Sequence, residues 1–491
     1  MKRLLIALCA LAVISCAPQH QKNELRAPAY PLITIDPYIS SWSSADHLYD
    51  DAVRHWTTTE TPFTGVLRVD GECYRFMGAE TEKRIMVVPM GYFAEWTGRY
   101  TTTKPAKDWA KPGFDDRSWK KGVAPFGNNP TKKLRTPVEC EGKYFYIRRE
   151  VQIDPQLIDG SKFYACCSYH YGALIYINGV AIPNKLGFCE TDFRQIEIPA
   201  EVMALSAKDG KITMAMRVSA RYKDMTYGDM GLYRAEPLTN APFEQCAEQL
   251  SADVQATSTI YDFRCGGVDL KLTFTAPFLL DNLDLVSRPV NYVTYEVKAN
   301  DGKKHDVQIY FESTEDWARH YQEQETLVEK TADERFDYLR CGTKEQPILG
   351  RVGDNVRIDW GYYYLASEKG KHSVATGCKK ALRNAFVSEG NVASGEGKAM
   401  VLGCDLGEVG SKAASNYFMV GYDDIYSIQY FGENLRPYWN RDGKSTIEEQ
   451  FAKAADEYKS LMRRSAKFDN ELMAEATEAG GKEYAELCAL A

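Results

Sequence analysis

The residue types that usually advertise chemistry are sparse or badly spaced in this chain. Its 491 residues include only 7 His. They are scattered, with no H-E-x-x-H or related spacing, which argues against a zinc hydrolase. The 13 Cys include no C-x-x-C pair, which argues against a zinc ribbon or a thioredoxin-like site. No G-x-S-x-G nucleophile elbow occurs. Gly395-Glu396-Gly397-Lys398 has part of a phosphate loop, but Ala399 replaces the needed Ser or Thr and Val392 stands where the first Gly belongs. That stretch reads as a flexible loop. Beyond the N-terminus no apolar run is long enough to cross a bilayer. A net charge of -8 argues against nucleic acid as a partner. Nothing in the pattern implies a metal or a cofactor.

The start of the chain is informative. Met1 to Cys16 has a basic opening at Lys2 and Arg3, then a short apolar run from Leu4 to Ile14. This is the pattern of an export signal rather than of a permanent span. It closes on Val13-Ile14-Ser15-Cys16, which resembles the bacterial lipobox and makes Cys16 the expected lipidation site and membrane anchor. Residues 17–26 are polar and read as a tether. They lack the acidic run that marks some lipoproteins for the cell surface, so the expectation is an exported, membrane-anchored protein facing the periplasm. With Cys9 removed and Cys16 lipidated, an odd number of Cys remains. Apart from Cys166-Cys167 they sit singly in apolar runs, the pattern of buried free thiols rather than of a disulfide framework.

The body alternates with a period of two. Val268 to Phe274 and Asn291 to Lys298 switch strictly between faces, with Tyr292 and Thr294 on one and Val293, Tyr295 and Val297 on the other. Val69-Asp70-Gly71-Glu72 and Asn178-Gly179 are hairpin turns. This is the grammar of β-sandwiches, not of βαβ units. Near Ser445 the period changes. Ser445-Thr446-Ile447-Glu448 reads as a capping box, followed by an apolar stripe through Phe451, Tyr458 and Leu461. A second helix is expected from Asn470 to Ala479, ending at Gly480-Gly481, and a third from Lys482 onward. Tyr484, Leu487, Cys488 and Ala491 share one apolar face of that third helix, and no cap or proline follows. The expectation is a helix that continues past Ala491 and packs Leu487 and Leu490 on sequence beyond it.

Two resemblances organise these signals. Trp109 to Gly127, Tyr144 to Arg149 and Tyr176 to Gly179 resemble the galactose-binding-like jelly roll of many glycoside hydrolases. Asp115 and Asp116 there read as turn formers, and Trp119 and Phe126 as core plugs. On either side, Tyr30 to Ile33, Asp36-Pro37-Tyr38, Ser41-Trp42-Ser43, His55-Trp56, Gly65 to Gly71 and Tyr74 to Gly78 resemble the glutaminase A family in its Bacteroides-type form. The likeness resumes at Pro237 and runs through Asp423 to Gly432, Tyr438-Trp439, Lys467 to Asp469 and Ala485 to Ala491. It implies a mostly β fold: a β-super-sandwich with an inserted jelly roll, then the start of an (α/α)6 domain. The implied division is 1–16 signal, 17–26 tether, 27–90 N-terminal region, 91–235 jelly roll, 236–444 super-sandwich and 445–491 helices.

The implied activity is hydrolysis of L-glutamine to glutamate and ammonia, on catalytic groups that this stretch of the family does not supply. No catalytic residue is therefore assigned, and this portion is expected to be inactive alone. A glycan-acting enzyme of the same superfold and a non-catalytic carbohydrate-binding or scaffold lipoprotein are the rival readings. The partners expected are a small amide or glycan and, through the anchor, a membrane. Six residues are candidates for a ligand-facing rim: His55, Trp56, Tyr430, Phe431, Tyr438 and Trp439. Asp423 and Asp424, as strand neighbours, point to opposite faces and do not form a converging pair.

Overall fold

The computed structural model describes residues 21–183, 193–236, 239–353 and 355–491. The expected signal segment and Cys16 lie outside them. The chain is mostly β and divides into two units, one formed by Met1–Glu80 with Asn240–Ala491 and the other by Thr81–Thr239.

The first unit is built on two antiparallel sheets. One has eight strands in the spatial order Glu248–Val254, Ser258–Cys265, Val268–Thr275, Val290–Ala299, Ala414–Asp423, Tyr362–Glu368, Phe336–Thr343 and Thr326–Ala332. The other has five: Ser373–Gly377, Ala399–Val409, His305–Ser313, Phe63–Val69 and Glu72–Met77. Alternation along each strand sends one face of both sheets into a shared core that includes Leu67, Phe263, Leu272, Val293, Phe311, Leu402 and Phe418. Its centre is aromatic, with the Phe311 and Phe418 ring centroids 4.8 Å apart and Trp317 stacked on Tyr363 at 4.8 Å.

The outer face of the eight-stranded sheet is covered by a helix, Ile447–Gly480. This explains why Val290–Ala299 is apolar on both faces. Val293, Tyr295 and Val297 enter the sandwich core, while the Tyr292 hydroxyl donates to the Ala454 carbonyl at 2.9 Å and Thr294 Oγ1 lies 2.9 Å from the Tyr458 hydroxyl. Tyr458 stacks on Tyr417 at 3.8 Å. Phe451 packs over Tyr338 and Tyr364, so close to the sheet that a Cβ at Gly421 would lie 2.6 Å from its ring.

Three sequence expectations change here. The helix is continuous over 34 residues rather than two helices. No Gly or Pro lies between Leu461 and Asn470, and Gly481, at φ 85°, is where the chain first turns out of the helix. Its cap is Thr446 with Glu449, one residue later than Ser445 with Glu448. In the final helix, Lys482–Leu490, the inward face is Ala485 and Ala489, while Tyr484 and Leu487 are 50% and 57% exposed. Leu490 packs against the sandwich core, and the Glu486 carboxylate accepts from the Glu24 backbone N–H at 3.0 Å. The small residues let this helix lie close, which turns the larger side chains outward.

The second unit is a smaller two-sheet sandwich. One sheet runs Val180–Ile182, Ala173–Ile177, Lys211–Ser219, Tyr144–Gln152, Thr97–Thr101 and Lys120–Val123. The other runs Arg194–Ile198, Phe163–Tyr169, Tyr227–Glu236, Phe126–Gly127 and Thr136–Pro137, with Lys83–Val88 also paired to Tyr227–Glu236. Phe126, Phe145, Ile175, Met214, Met216 and Leu232 are among its core. The Asn178-Gly179 turn, with φ of 51° and 82°, joins two strands as its type predicts. Trp119 is a correction. It lies outside this core, in a separate cluster with Trp109, Tyr146 and Tyr176, because it follows the Asp115–Arg117 turn rather than a core strand.

Cys140, Cys265, Cys341 and Cys404 are buried free thiols, with burial pushing the Cys265 thiol well up. Among the described residues no helix is long and apolar enough to cross a membrane.

Candidate functional site

Two short strands, β1 (Tyr30–Asp36) and β2 (Ile39–Ser43), form an antiparallel ribbon. The turn between them depends on Asp36-Pro37: Asp36 Oδ1 accepts from the N–H groups of Tyr38 at 2.7 Å and Ile39 at 3.1 Å, an Asx-type turn. That turn presents the Pro37 carbonyl, which sits 3.1 Å from His55 Nε2 and accepts from Trp56 Nε1. The Thr57 N–H donates to His55 Nδ1 at 3.2 Å, so the proton belongs on Nε2, directed at Pro37. Burial, then the Arg357 charge, pushes the His55 pKa down to about 4. His55 is therefore a neutral brace for the turn.

Beside this ribbon is a cavity of about 500 Å³. β1 and β2 supply one wall, with Ile35, Asp36, Ser40 and Trp42. The turn 255–259 and Phe274, Ala276 and Phe278 supply the rest, and Trp56 completes the lining. The turn is held by Asp469 of the long helix, which accepts from the Thr257 N–H and hydroxyl at 2.9 Å each and from Ser258 Oγ at 3.1 Å. One helix carboxylate thus fixes a wall of the cavity.

Asp36 also feels the charge of a second carboxylate. Burial, then the charge of Asp424, raises its pKa to about 7. Asp424 follows the strand Ala414–Asp423. Its carbonyl accepts from Trp360 Nε1 at 2.8 Å, and its Oδ2 accepts from Ser427 Oγ. Burial and then Asp423 push its pKa up, against the Ser427 hydrogen bond, to about 6. Asp423 itself accepts from the Ile425 N–H at 3.1 Å and is a turn former. Burial is the first cause at both carboxyls, so each holds its proton more tightly than an exposed acid. The sequence reading tests Asp423 with Asp424 and does not pair Asp36 with Asp424. They come from opposite ends of the chain, and no spacing rule links them.

The six rim candidates fall into three settings. His55 and Trp56 adjoin, with ring centroids 5.7 Å apart; Trp56 lines the cavity and His55 braces the turn. Tyr430 and Phe431, 60% and 92% exposed, lie at a hairpin formed by Ile428–Tyr430 and Glu433–Leu435. Tyr438 lies under the Arg441 guanidinium at 4.1 Å, and Trp439 is buried in the layer between sheet and helix. Among the cavity residues, Asp36 and Trp42 belong to motifs that carry the family resemblance, whereas no motif includes Ser40, Gln255 or Thr259. Ser40 is signalled only by its place between those motifs, and Gln255 and Thr259 have no signal in the sequence. Among the described residues no group of three or more His, Cys, Asp or Glu is placed to hold a metal ion.

A family profile described as Domain of unknown function (DUF4964) matches residues 5–89, and a second, Domain of unknown function (DUF5127), matches residues 257–475. Glutaminase A of Aspergillus oryzae is 23% identical over 289 residues, 55% of this chain and 40% of that protein. The chain thus spans less than half the length of this curated relative. Among solved structures, a glycosyl hydrolase family 2 member from Bacteroides cellulosilyticus is 10% identical, covering 69% of this chain and 35% of that one with a TM-score of 0.24. A Bacteroides uniformis β-glucuronidase 2 calcium-binding mutant, also 10% identical, covers 60% and 33% with a TM-score of 0.24. Likeness of that size assigns neither fold nor activity. The chain is thus similar to glutaminase A over 55% of its length and matches the DUF4964 and DUF5127 profiles.

Proposed function

We propose that this chain is the β-rich portion of an exported glutaminase-A-like hydrolase, which converts L-glutamine to glutamate and ammonia. The observation that carries the reading is the glutaminase A match over 55% of the chain. Amide hydrolysis needs an activated water or nucleophile, a stabiliser for the oxyanion and an acid for the departing ammonia. In this proposal those groups lie in the part of such an enzyme outside the matched region, and the present portion frames one side of the cleft. Cys16 carries the lipid that anchors the protein, facing the periplasm.

Ammonia release from L-glutamine tests the proposal. The expected outcome is release by a protein extended to the length of the relative and none by the 491-residue chain. Release by this chain alone would place the chemistry here. An extended protein inert on glutamine but active on glycans would overturn the amide reading. A Cys16→Ser variant is expected to leave the membrane fraction and appear soluble; retention in the membrane fraction would remove the anchor from the proposal.

A further inference from the structure

Two segments at one end of the eight-stranded sheet carry large apolar side chains into solvent. Strands Val268–Thr275 and Ala414–Asp423 both finish at that end, since Thr275 pairs with Tyr292 and Val290 with Gly421. The connection after Thr275 presents Phe278, Leu280 and Leu283, which are 53%, 68% and 61% exposed. The segment after Asp423 presents Tyr430 and Phe431 and, further on, Tyr438, 45% exposed. One apolar side chain on a surface needs no explanation, but a run of them marks a contact.

These side chains continue a layer that the fold already buries. In each segment neighbouring residues point the other way: Leu279 and Leu285, and Trp439 beside Tyr438, enter the core between the sheet and the helix Ile447–Gly480. The first connection runs along that helix, with Arg288 paired to Glu457 at 2.8 Å and Asp281 to Arg464 at 3.6 Å. It is fixed in itself as well. Asn282 Oδ1 accepts from the Leu285 N–H at 3.1 Å, and Asp284 pairs at 2.8 Å with Arg441, whose guanidinium covers Tyr438. That pairing sets the two segments side by side. The hairpin of Ile428–Tyr430 and Glu433–Leu435 is exposed at every strand residue, and its tip holds Phe431 at φ 48°, a costly conformation for a bulky residue. Such a hairpin is marginal by itself in water.

The chemistry of this surface narrows its partner. Asp281, Asp284 and Arg288 are each already paired within the chain, so the surface left to be met is apolar. A narrow apolar row with paired charges at its margin fits the apolar stripe of an amphipathic helix, and a helix already covers the adjoining face of the sheet. The match takes in 40% of the curated relative, so an enzyme of that length has further sequence to supply one. We infer that Phe278, Leu280, Leu283 and Tyr438 receive an amphipathic helix from that further part of the enzyme, packed beside Ile447–Gly480, with Tyr430 and Phe431 contacting the same part. The inference rests on the reading of this chain as a portion of a longer hydrolase.

Backbone hydrogen exchange of this chain and of a protein extended to the length of the relative tests it. Residues 278–286 and 428–436 are expected to exchange at least about tenfold more slowly in the extended protein, and its binding of anilinonaphthalene sulfonate to fall several-fold. Leu280→Ser with Leu283→Ser should leave the melting temperature of this chain unchanged and restore fast exchange at 278–286 in the extended protein. Phe431→Asn, tolerated at a positive φ, should do the same for 428–436. Equal exchange in both proteins overturns the inference. So does protection of this chain alone that rises with its concentration, which would mean a second copy, or that needs phosphatidylglycerol vesicles, which would mean a lipid surface. Variants that lower the melting temperature of this chain also overturn it, because the side chains would then be packed within it. An extended protein protected at both segments yet inert on glutamine fails the glutaminase proposal alone. One that releases ammonia with both segments unprotected fails this inference alone.

Discussion

The motif Trp109 to Gly127 in one unit and the segment from β1 to Trp56 in the other are both rich in aromatics and carboxylates, yet they treat their polar groups differently. In the first, Asp115 accepts from the Arg117 N–H at 3.1 Å and from its guanidinium at 2.8 and 2.7 Å. Asp116 pairs with Arg99 and Arg148, and Trp119 stacks on Trp109 at 6.0 Å. These residues make a turn and hold it. In the second, Asp36 and His55 build the turn, but Ser40 Oγ and Trp42 Nε1 are buried with no hydrogen-bond partner among the described residues. The first motif uses its carboxylates for a turn and ion pairs, while the second leaves a hydroxyl and an indole N–H unpaired.

The largest expected effect concerns Asp36. Its raised pKa means that the folded state binds the proton more tightly than the unfolded state, so its contribution to stability is present below about pH 4 and lost as pH rises to about 7. Asp36→Asn keeps the Oδ1 acceptor of the turn and removes the charge. Denaturant melts at pH 4 and pH 8 are expected to show the variant gaining on the parent by on the order of 2–4 kcal/mol. That is an upper bound, because Asp36 borders the cavity and keeps some access to water. His55 acts with the opposite sign, since its lowered pKa adds stability as pH rises from about 4 to 6.5. It is present in both proteins and cancels. No pH dependence in the difference would show that Asp36 is an ordinary surface carboxylate.

A pair of tryptophans sharpens the contrast next. Trp119→Ala removes a ring held among Trp109 and Phe114 and is expected to destabilise its unit by about 2–4 kcal/mol in chemical denaturation. Trp56→Ala, half exposed at the cavity, should cost less than about 1.5 kcal/mol. Equal losses would erase the distinction between scaffold and site.

A pair of serines gives the smallest effect. Ser206, fully buried, donates to the Lys211 carbonyl at 2.6 Å and accepts from Asn178 Nδ2 at 2.8 Å. Ser206→Ala strands both partners and should cost about 1–3 kcal/mol. Ser40 is comparably buried but unpartnered, so Ser40→Ala should fall within about 0.5 kcal/mol of neutral. A large loss at Ser40 would mean that its hydroxyl is already satisfied.

Much of the fold could be read from local pattern. Strict alternation at Val268–Thr275 and Val290–Ala299 marks strands because the side-chain period of two is a property of the backbone. Asn178-Gly179 marks its hairpin because only such residues tolerate two successive positive φ angles. The apolar stripe of Phe451, Tyr458 and Leu461 marks a helix for the same local reason. What failed was one step less local. Whether Ile447–Gly480 is one helix or two, and which face of Lys482–Leu490 turns inward, depend on the surfaces those helices meet.

The sequence by itself determined the element types, the turns and the likeness to glutaminase A, because these follow from side-chain periodicity, backbone sterics and motif order along the chain. Only the tertiary structure decided the site. Asp36 meets the charge of Asp424, Asp469 holds Thr257, and Ser40 and Trp42 share a cavity with Gln255 and Thr259. The partners in each case are hundreds of residues apart. Their pairing is set by how the ribbon, sheet and helix pack together, and so are the burial that raises an acid's pKa and the missing partner that leaves a hydroxyl unsatisfied. No stretch of sequence carries either one alone.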